Sequence, residues 1–372
     1  MLIHKLLLEN FRNYSLQNFS FDPSCNVIYG ENAQGKTNLL EAIICLSTGK
    51  SHRTRSDREL IRFGERGFQI EGALLTRNRD FFSSIKAETG KKKQITVNKV
   101  PVKNASELSR TLNTVFFCPE DLQLIREGAA ARRRFMDVSL CQLRPNYGIA
   151  LNEYARLHEH KTRILRDRDE KPDLLDTLPD FNRRMAEAGA VLIHYRARFA
   201  KLLSAYAENT HRDCSGGRES LEIQYATVKT ILDPFSDHKT LVLQLLEHQK
   251  SHYQAELSSR QCLSGPHKDD LYVTLNGLSA RSFASQGQTR TAALSMKLAA
   301  REIHREILGE YPVLLLDDVL SELDPKRQEF VLNRINGGQV FITCCEDDRL
   351  SALLSGRVFH IQNGIIRPDG SE

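Results

Sequence analysis

No stretch of about eighteen apolar residues occurs in the chain, so the sequence holds no candidate membrane span. Its eight cysteines include no C-x-x-C pair, and no Cys/His cluster has the spacing of a zinc site. Scattered single thiols suit a reducing compartment. The opening segment MLIHKLLLENFRNY carries charged and polar residues too early for a secretory signal. The expectation is a cytoplasmic protein. No internal repeat and no low-complexity segment is found. Base-reading motifs are also missing, with no helix-turn-helix, zinc-finger or RRM signature. Any nucleic-acid contact must then be made through phosphates, steep in salt and blind to sequence. Neither sign of charge dominates. The 52 basic and 47 acidic residues leave a net charge of +5, which permits a nucleic-acid face without establishing one.

What is present is the balance of a globular protein, with 40% apolar and 27% charged residues over 372 positions, enough for two domains. Residues 1–30 read as two strands leading to a glycine turn, the second being CNVIYG. Helical spacing follows at Leu39, Leu40, Ile43 and Ile44. FQIEGALL, FFSSIKAE and KKQITVNKV alternate and are separated by polar turns, which predicts an antiparallel meander over 68–103. From about residue 120 to 261 the chain turns helical. Met185, Ala188, Leu192, Tyr195, Phe199, Leu202 and Tyr206 step 3-4-3-4-3-4, a heptad seam. Leu143, Tyr147, Ala150, Tyr154 and Leu157 form a similar stripe. Two antiparallel helices joined by the loop holding Pro172 and Pro179 are expected, as a helical subdomain rather than a protruding arm. Strand patterns return from 262. YPVLLLDD and GGQVFITCC suit central parallel strands.

Gly30-Glu31-Asn32-Ala33-Gln34-Gly35-Lys36-Thr37 spells G-x-x-x-x-G-K-[ST], the Walker A pattern. Glycines let the backbone curl so that successive N–H groups face phosphate oxygens. The helix behind them aims its dipole at the same anion. Lys36 would reach the β- and γ-phosphates and the Thr37 hydroxyl would ligate Mg²⁺. Such a loop needs an acid at a strand end to hold the metal. Asp317 is the expected metal-side carboxylate, and Asp318 is placed to orient or deprotonate an attacking water. ATP and Mg²⁺ are the expected cofactors, although the loop itself does not choose adenine over guanine.

Ser285-Gln286-Gly287-Gln288 precedes this acidic strand, and Ser321-Glu322-Leu323-Asp324 follows it. In that order the segments resemble the S-x-G-Q signature, acidic strand and S-x-L-D segment of ABC-type ATPases. On residues alone, S-x-G-Q also reads as a loop and helix N-cap. ENFRNY, PEDL (119–122), SGPHKDDL (264–271), FASQGQTR (283–290) and LLLDDVLSELD (314–324), with the Walker A loop, resemble the bacterial RecF family, related to SMC heads. The match is weakest over 140–260.

The resemblance implies an α/β fold. It is an ABC-type P-loop ATPase head with an antiparallel β subdomain, built from 1–119 with 262–372, plus a mostly α-helical inserted lobe at 120–261. It implies an ATP-dependent homodimer on duplex DNA and single-strand/duplex junctions, with Ser285, Gly287 and Gln288 meeting the γ-phosphate held by the other subunit. It also implies slow DNA-stimulated ATP hydrolysis, partnership with RecR and RecO in loading RecA at gaps, a place in the SOS response, and a nucleoid-associated location away from membranes. Two departures bear on turnover: Asp318 stands where ABC proteins carry glutamate, and Thr343 where transporters carry a switch histidine.

Three basic clusters stand out, Lys50–Arg55, Lys91–Lys93 and Arg132-Arg133-Arg134. The last is offered as a DNA contact, with a solvated helix face as the alternative. Arg53 or Arg55 is instead a candidate to neutralise nucleotide phosphates. His267 reads as a hydrogen-bonded structural histidine. An alternative overall is a transporter's nucleotide-binding subunit, which shares the loop, signature and acidic strand. A P-loop kinase shares the loop but has no use for S-Q-G-Q.

Overall fold

Along Gly67–Leu75 every second side chain is buried, as the two-residue period of a half-solvated strand requires. This strand lies inside a six-stranded antiparallel sheet whose spatial order is Tyr14–Ser20, Leu2–Phe11, Gly67–Leu75, Asp80–Glu88, Gln94–Val97 and Val100–Pro101. The expected meander is therefore present. The computed structural model describes residues 1–77, 79–102, 105–345 and 356–367.

A second six-stranded sheet runs Ile365–Arg367, Arg357–Gln362, Cys25–Tyr29, Val340–Cys344, Val313–Asp317, Thr114–Phe117. All its pairings are parallel except the terminal hairpin. Val313–Asp317 and Val340–Cys344 are buried at every position, which explains why they read as unbroken apolar runs rather than alternating ones. The helix Lys36–Thr48 packs against strands of both sheets and buries Leu39, Leu40, Ile43, Ile44 and Leu46. It stops at Gly49, whose left-handed φ of 71° lets its N–H return to the Cys45 carbonyl at 2.7 Å. Phe11, Phe19, Ile43, Phe341 and Ile361 belong to the one core these layers share. Buried Gln339 ties the sheets together. It accepts from Ile3 N at 2.8 Å and donates to the carbonyls of Ile3 at 2.9 Å and Asp22 at 2.8 Å.

These elements form one compact unit, Met1–Leu122 with Ala300–Glu372; the other is Gln123–Ala299. The second begins three residues later than the sequence division at 120 and extends well past 261. The reason is strand pairing. Asp270–Leu275 pairs antiparallel with Leu221–Ala226, and the short Leu278–Ser279 completes that sheet, so residues after 261 belong with the inserted lobe. The division at its far end falls within the helix Gln286–Leu308.

The second unit is mainly helical. Pro145–Arg166 and Leu178–Ser215 run antiparallel, since Tyr147 meets Arg196 at 2.9 Å while Glu153 pairs with Arg184. Of the heptad seam, Met185, Ala188, Leu192 and Phe199 are buried, and Tyr195, Leu202 and Tyr206 are half-buried. The same helix buries a second row, Ala186, Ala190 and Ile193, in a cluster with Leu241 and Leu245. A helix covered on two sides is core, not a free arm.

Candidate functional site

The Walker A loop leaves the strand Cys25–Tyr29 and enters the helix Lys36–Thr48. Three of its residues have positive φ: Gly30 at 147°, Ala33 at 66° and Gly35 at 122°. Contacts reinforce the demand for glycine. A Cβ on Gly30 would lie 2.4 Å from the Ile361 carbonyl oxygen, and one on Gly35 would lie 2.7 Å from Asn13 Nδ2. Loop carbonyls are engaged from outside. Asn13 Nδ2 donates to Gln34 O at 2.7 Å, and Tyr14 Oη to Gly35 O at 2.9 Å. Lys36 Nζ folds back onto the carbonyls of Gly30 at 2.5 Å and Glu31 at 2.9 Å. The helix start has no side-chain cap and no acidic residue in its first turn. Its N–H groups and positive dipole end thus suit an anion.

Strand order brings the second half of the site alongside. Val340–Cys344 lies between the P-loop strand and the acidic strand, pairing Thr343 with Ile28 on one side and Asp317 on the other. All three strands end at the same edge, where doubly wound sheets bind ligands. Thr37 Oγ1 donates to Asp317 Oδ1 at 3.0 Å, across 280 residues of sequence. Thr343 Oγ1 donates to the same oxygen at 2.8 Å and accepts from Asp318 N at 2.9 Å. At the switch position, then, stands a strut between two strand ends. Burial pushes the Asp317 carboxyl up; hydrogen bonds from Thr343 and Thr37 pull against it, and the Asp318 charge adds to the rise. Asp318 adopts φ 51°, and its buried Oδ1 has no hydrogen-bond partner among the described residues. A hydroxyl and two carboxylates, one of them with an orphaned oxygen, form a hard donor set that fits Mg²⁺. Thr37 and Asp317 would hold it.

Behind the loop, Glu41 is fully buried and held by Arg12 through bonds of 2.9 and 2.8 Å. Burial alone would raise its carboxyl, but Arg12 and Ser51 hold it below the usual range. Arg53, five residues past the end of the helix Lys36–Thr48, donates to Asn38 Oδ1 at 2.9 Å and lies 3.6 Å from Glu41, so its guanidinium is engaged with side chains of that helix.

Ser285 and Gln288 open the helix Gln286–Leu308 as a capping box. Ser285 N donates to Gln288 Oε1 at 2.8 Å, and Gln288 N to Ser285 Oγ at 3.3 Å. Ser285 is exposed and Gly287 half-buried, while Gln288 Nε2 also reaches Glu219 at 2.8 Å. The N-cap reading therefore holds, at an exposed helix start.

The arginine cluster needs correcting. Arg132 is 3% exposed and forms a two-bond pair with Asp270, at 2.7 and 2.9 Å, while Nη1 donates to the carbonyls of Leu124, Ile125 and Glu127. It faces the interior and is no DNA contact. Arg133 is half-buried and donates to Asp269 O at 2.7 Å; Arg134 alone is exposed. Lys93 likewise pairs with Asp57 at 2.7 Å and bonds Gly49 O. Sequence reasoning also passed over the company of His267. Cys262, five residues before it, and His158, on another helix, share its surroundings. The five-residue spacing was the signal.

A family model described as "RecF/RecN/SMC N terminal domain" matches residues 2–366. A "DNA replication and repair protein RecF" from Acetivibrio thermocellus is 40% identical over 348 residues, covering 94% of both chains. One of the same description from Agathobacter rectalis is 39% identical over 366 residues and 98% of both. The solved structure of "the recombination mediator protein RecF-ATPrS in RecFOR pathway" superposes with a TM-score of 0.91 at 33% identity, covering 98% of this chain and 97% of that one. An Smc head domain from Pyrococcus furiosus shares the fold at a TM-score of 0.56 and 14% identity, covering 98% of this chain and 95% of that one.

Proposed function

Because the chain belongs to the RecF family, within the wider RecF/RecN/SMC group, we propose that it is an ATP-gated, dimeric DNA-binding protein of replication and recombinational repair. The relative solved with ATPrS is described within the RecFOR pathway, which supports RecR and RecO as partners and RecA loading at gaps as the outcome. Family membership sets the transporter alternative aside. Among the described residues no helix is long and apolar enough to cross a membrane.

One observation carries this reading: Thr37 and Asp317, 280 residues apart, meet at 3.0 Å beneath a loop shaped for phosphate. In the proposed cycle, backbone N–H groups of the loop and the Lys36 ammonium bind the phosphates. Thr37 and Asp317 hold Mg²⁺, which when bound neutralises phosphate charge. Asp318 accepts a proton from water or orients it, and its carboxylate is one methylene shorter than glutamate, consistent with slow turnover. Ser285, at an exposed helix start with no acidic residue in its first turn, offers its hydroxyl and neighbouring N–H groups to the γ-phosphate of a second subunit. Each site is complete only in the dimer.

Light scattering with ATP and duplex DNA tests the scheme. Wild type should double in mass. Lys36→Arg should not, because a planar guanidinium does not fit a cradle built for a compact ammonium. Ser285→Arg should bind ATP as a monomer and fail to dimerise. Mixing the two variants should restore part of the association, since one composite site in each heterodimer is intact. Dimerisation of Ser285→Arg at wild-type levels would reduce the signature to a helix cap and end the clamp reading.

A further inference from the structure

In the second unit, Gly265 has φ +132°, and a Cβ there would fall 2.1 Å from Tyr154 Oη. Only glycine lets the 262–267 loop lie this close to the helix Pro145–Arg166. The loop is pinned from its other side as well. Glu256 Oε1 accepts from Leu263 N at 2.8 Å and Ser264 N at 3.2 Å, while its other oxygen pairs with buried Lys161 at 2.6 Å. The outcome is a convergence of soft donors. One ligand atom each from His158, Cys262 and His267 lies within 4.8 Å of the other two. The two imidazole rings are 4.4 Å apart between centroids.

The hydrogen bonds settle which atom of His267 is available. Its Nε2 lies 3.0 Å from the Cys262 carbonyl, which can only accept, so Nε2 carries the proton. Nδ1 is then the acceptor of the Tyr154 O–H at 2.8 Å, a bond that a metal ion would replace while leaving Tyr154 Oη beside the same centre. A ring N–H given to a backbone carbonyl while the other nitrogen faces a shared centre is how metal-bound histidines are oriented. Cys262 is buried and His158 half-buried, so the cluster has a dry floor and an open side.

We propose that His158, Cys262 and His267 form a binding site for a divalent transition metal of the zinc class, with Tyr154 Oη or a water in the fourth position. Two imidazoles and one thiolate match the donor preference of Zn²⁺, and an oxygen completes a tetrahedron. Metal–ligand distances of about 2.0–2.3 Å require donors roughly 3.3–3.7 Å apart, so the side chains must draw in by about 1 Å. The Cys262 proton leaves to solvent as the metal–sulfur bond forms.

Co²⁺ added alone to metal-stripped, full-length protein is the test. The expected result is one equivalent bound with a thiolate-to-cobalt charge-transfer band, erased by Zn²⁺. Cys262→Ser should lose the band. His158→Gln, at a half-buried position that leaves the fold intact, should weaken binding at least about tenfold. Cys345→Ser should keep the band; that exposed thiol lies 3.2 Å from Asn32 Oδ1 by the phosphate loop and is the competing candidate. Absence of a thiolate band in wild type would overturn the proposal. So would a band that survives Cys262→Ser, or unchanged Co²⁺ affinity in His158→Gln.

Discussion

Asp317 and Asp318 are neighbours with different surroundings. Asp317 is buried and shared by Thr37 and Thr343; Asp318 is half-buried with one orphaned oxygen. Asp317→Asn should therefore damage Mg²⁺-dependent nucleotide binding, whereas Asp318→Asn should keep binding and lose most hydrolysis. Equal loss of nucleotide affinity in an equilibrium titration of both variants would contradict that division. A second prediction concerns His304, fully buried, with neither ring nitrogen hydrogen-bonded among the described residues. Burial pushes this imidazole down to about 3. Below about pH 6.5 the unfolded chain takes up a proton there that the native chain refuses, so stability falls as pH falls toward 3. His304→Leu should remove one proton from that dependence, or about 1.4 kcal/mol per pH unit near pH 5. Urea unfolding followed by circular dichroism suits a chain without tryptophan. A slope identical to wild type would place the titration elsewhere. The place of Lys36 and Thr37, between a strand and a helix, was legible because the Walker A pattern is spelled in eight consecutive residues. Arg132 was not: its acid, Asp270, is 138 residues away, and an arginine run looks the same whether it faces water or a buried carboxylate.

At the scale of elements, the all-apolar strands, the alternating meander and the P-loop helix were legible from period alone. The strand Leu221–Ala226 was missed inside a region read as helical. It buries only one face, Leu221 and Ile223 inside with Glu222 and Gln224 exposed, and its partner lies beyond the next helix. That one pairing is why the second unit extends past 261. The capping box sets up a two-part prediction. Ser285→Ala should cost about 0.5–2 kcal/mol through loss of the cap. If the hydroxyl also serves the partner's nucleotide, Ser285→Asp, which restores a capping acceptor but sets a negative charge against the γ-phosphate, should regain the stability and still lose ATP-driven association. Calorimetry for stability and scattering for mass separate the two effects, and association restored along with stability would leave Ser285 with capping alone.

For the whole molecule, DNA binding should fall steeply with salt and depend little on base sequence. Arg134→Ala should reduce the log–log salt slope by roughly one if that exposed residue contacts phosphate. Arg132→Ala should leave the slope alone and instead cost about 3–5 kcal/mol, because Asp270 loses its buried partner. A reduced slope in Arg132→Ala with unchanged stability would reverse the correction. The sheet order has a consequence for biosynthesis. The P-loop strand Cys25–Tyr29 pairs with Val340–Cys344 on one side and Arg357–Gln362 on the other, and with nothing encoded earlier. The inserted unit, by contrast, is contiguous and can close while the ribosome is still reading the last strands. The nascent chain thus carries its Walker motif through most of translation on a strand with both edges open. A message cut after codon 37 and before codon 340 yields a polypeptide with the full phosphate loop on a strand that lacks both of its sheet neighbours, a substrate for chaperones and proteases rather than a weak nucleotide binder.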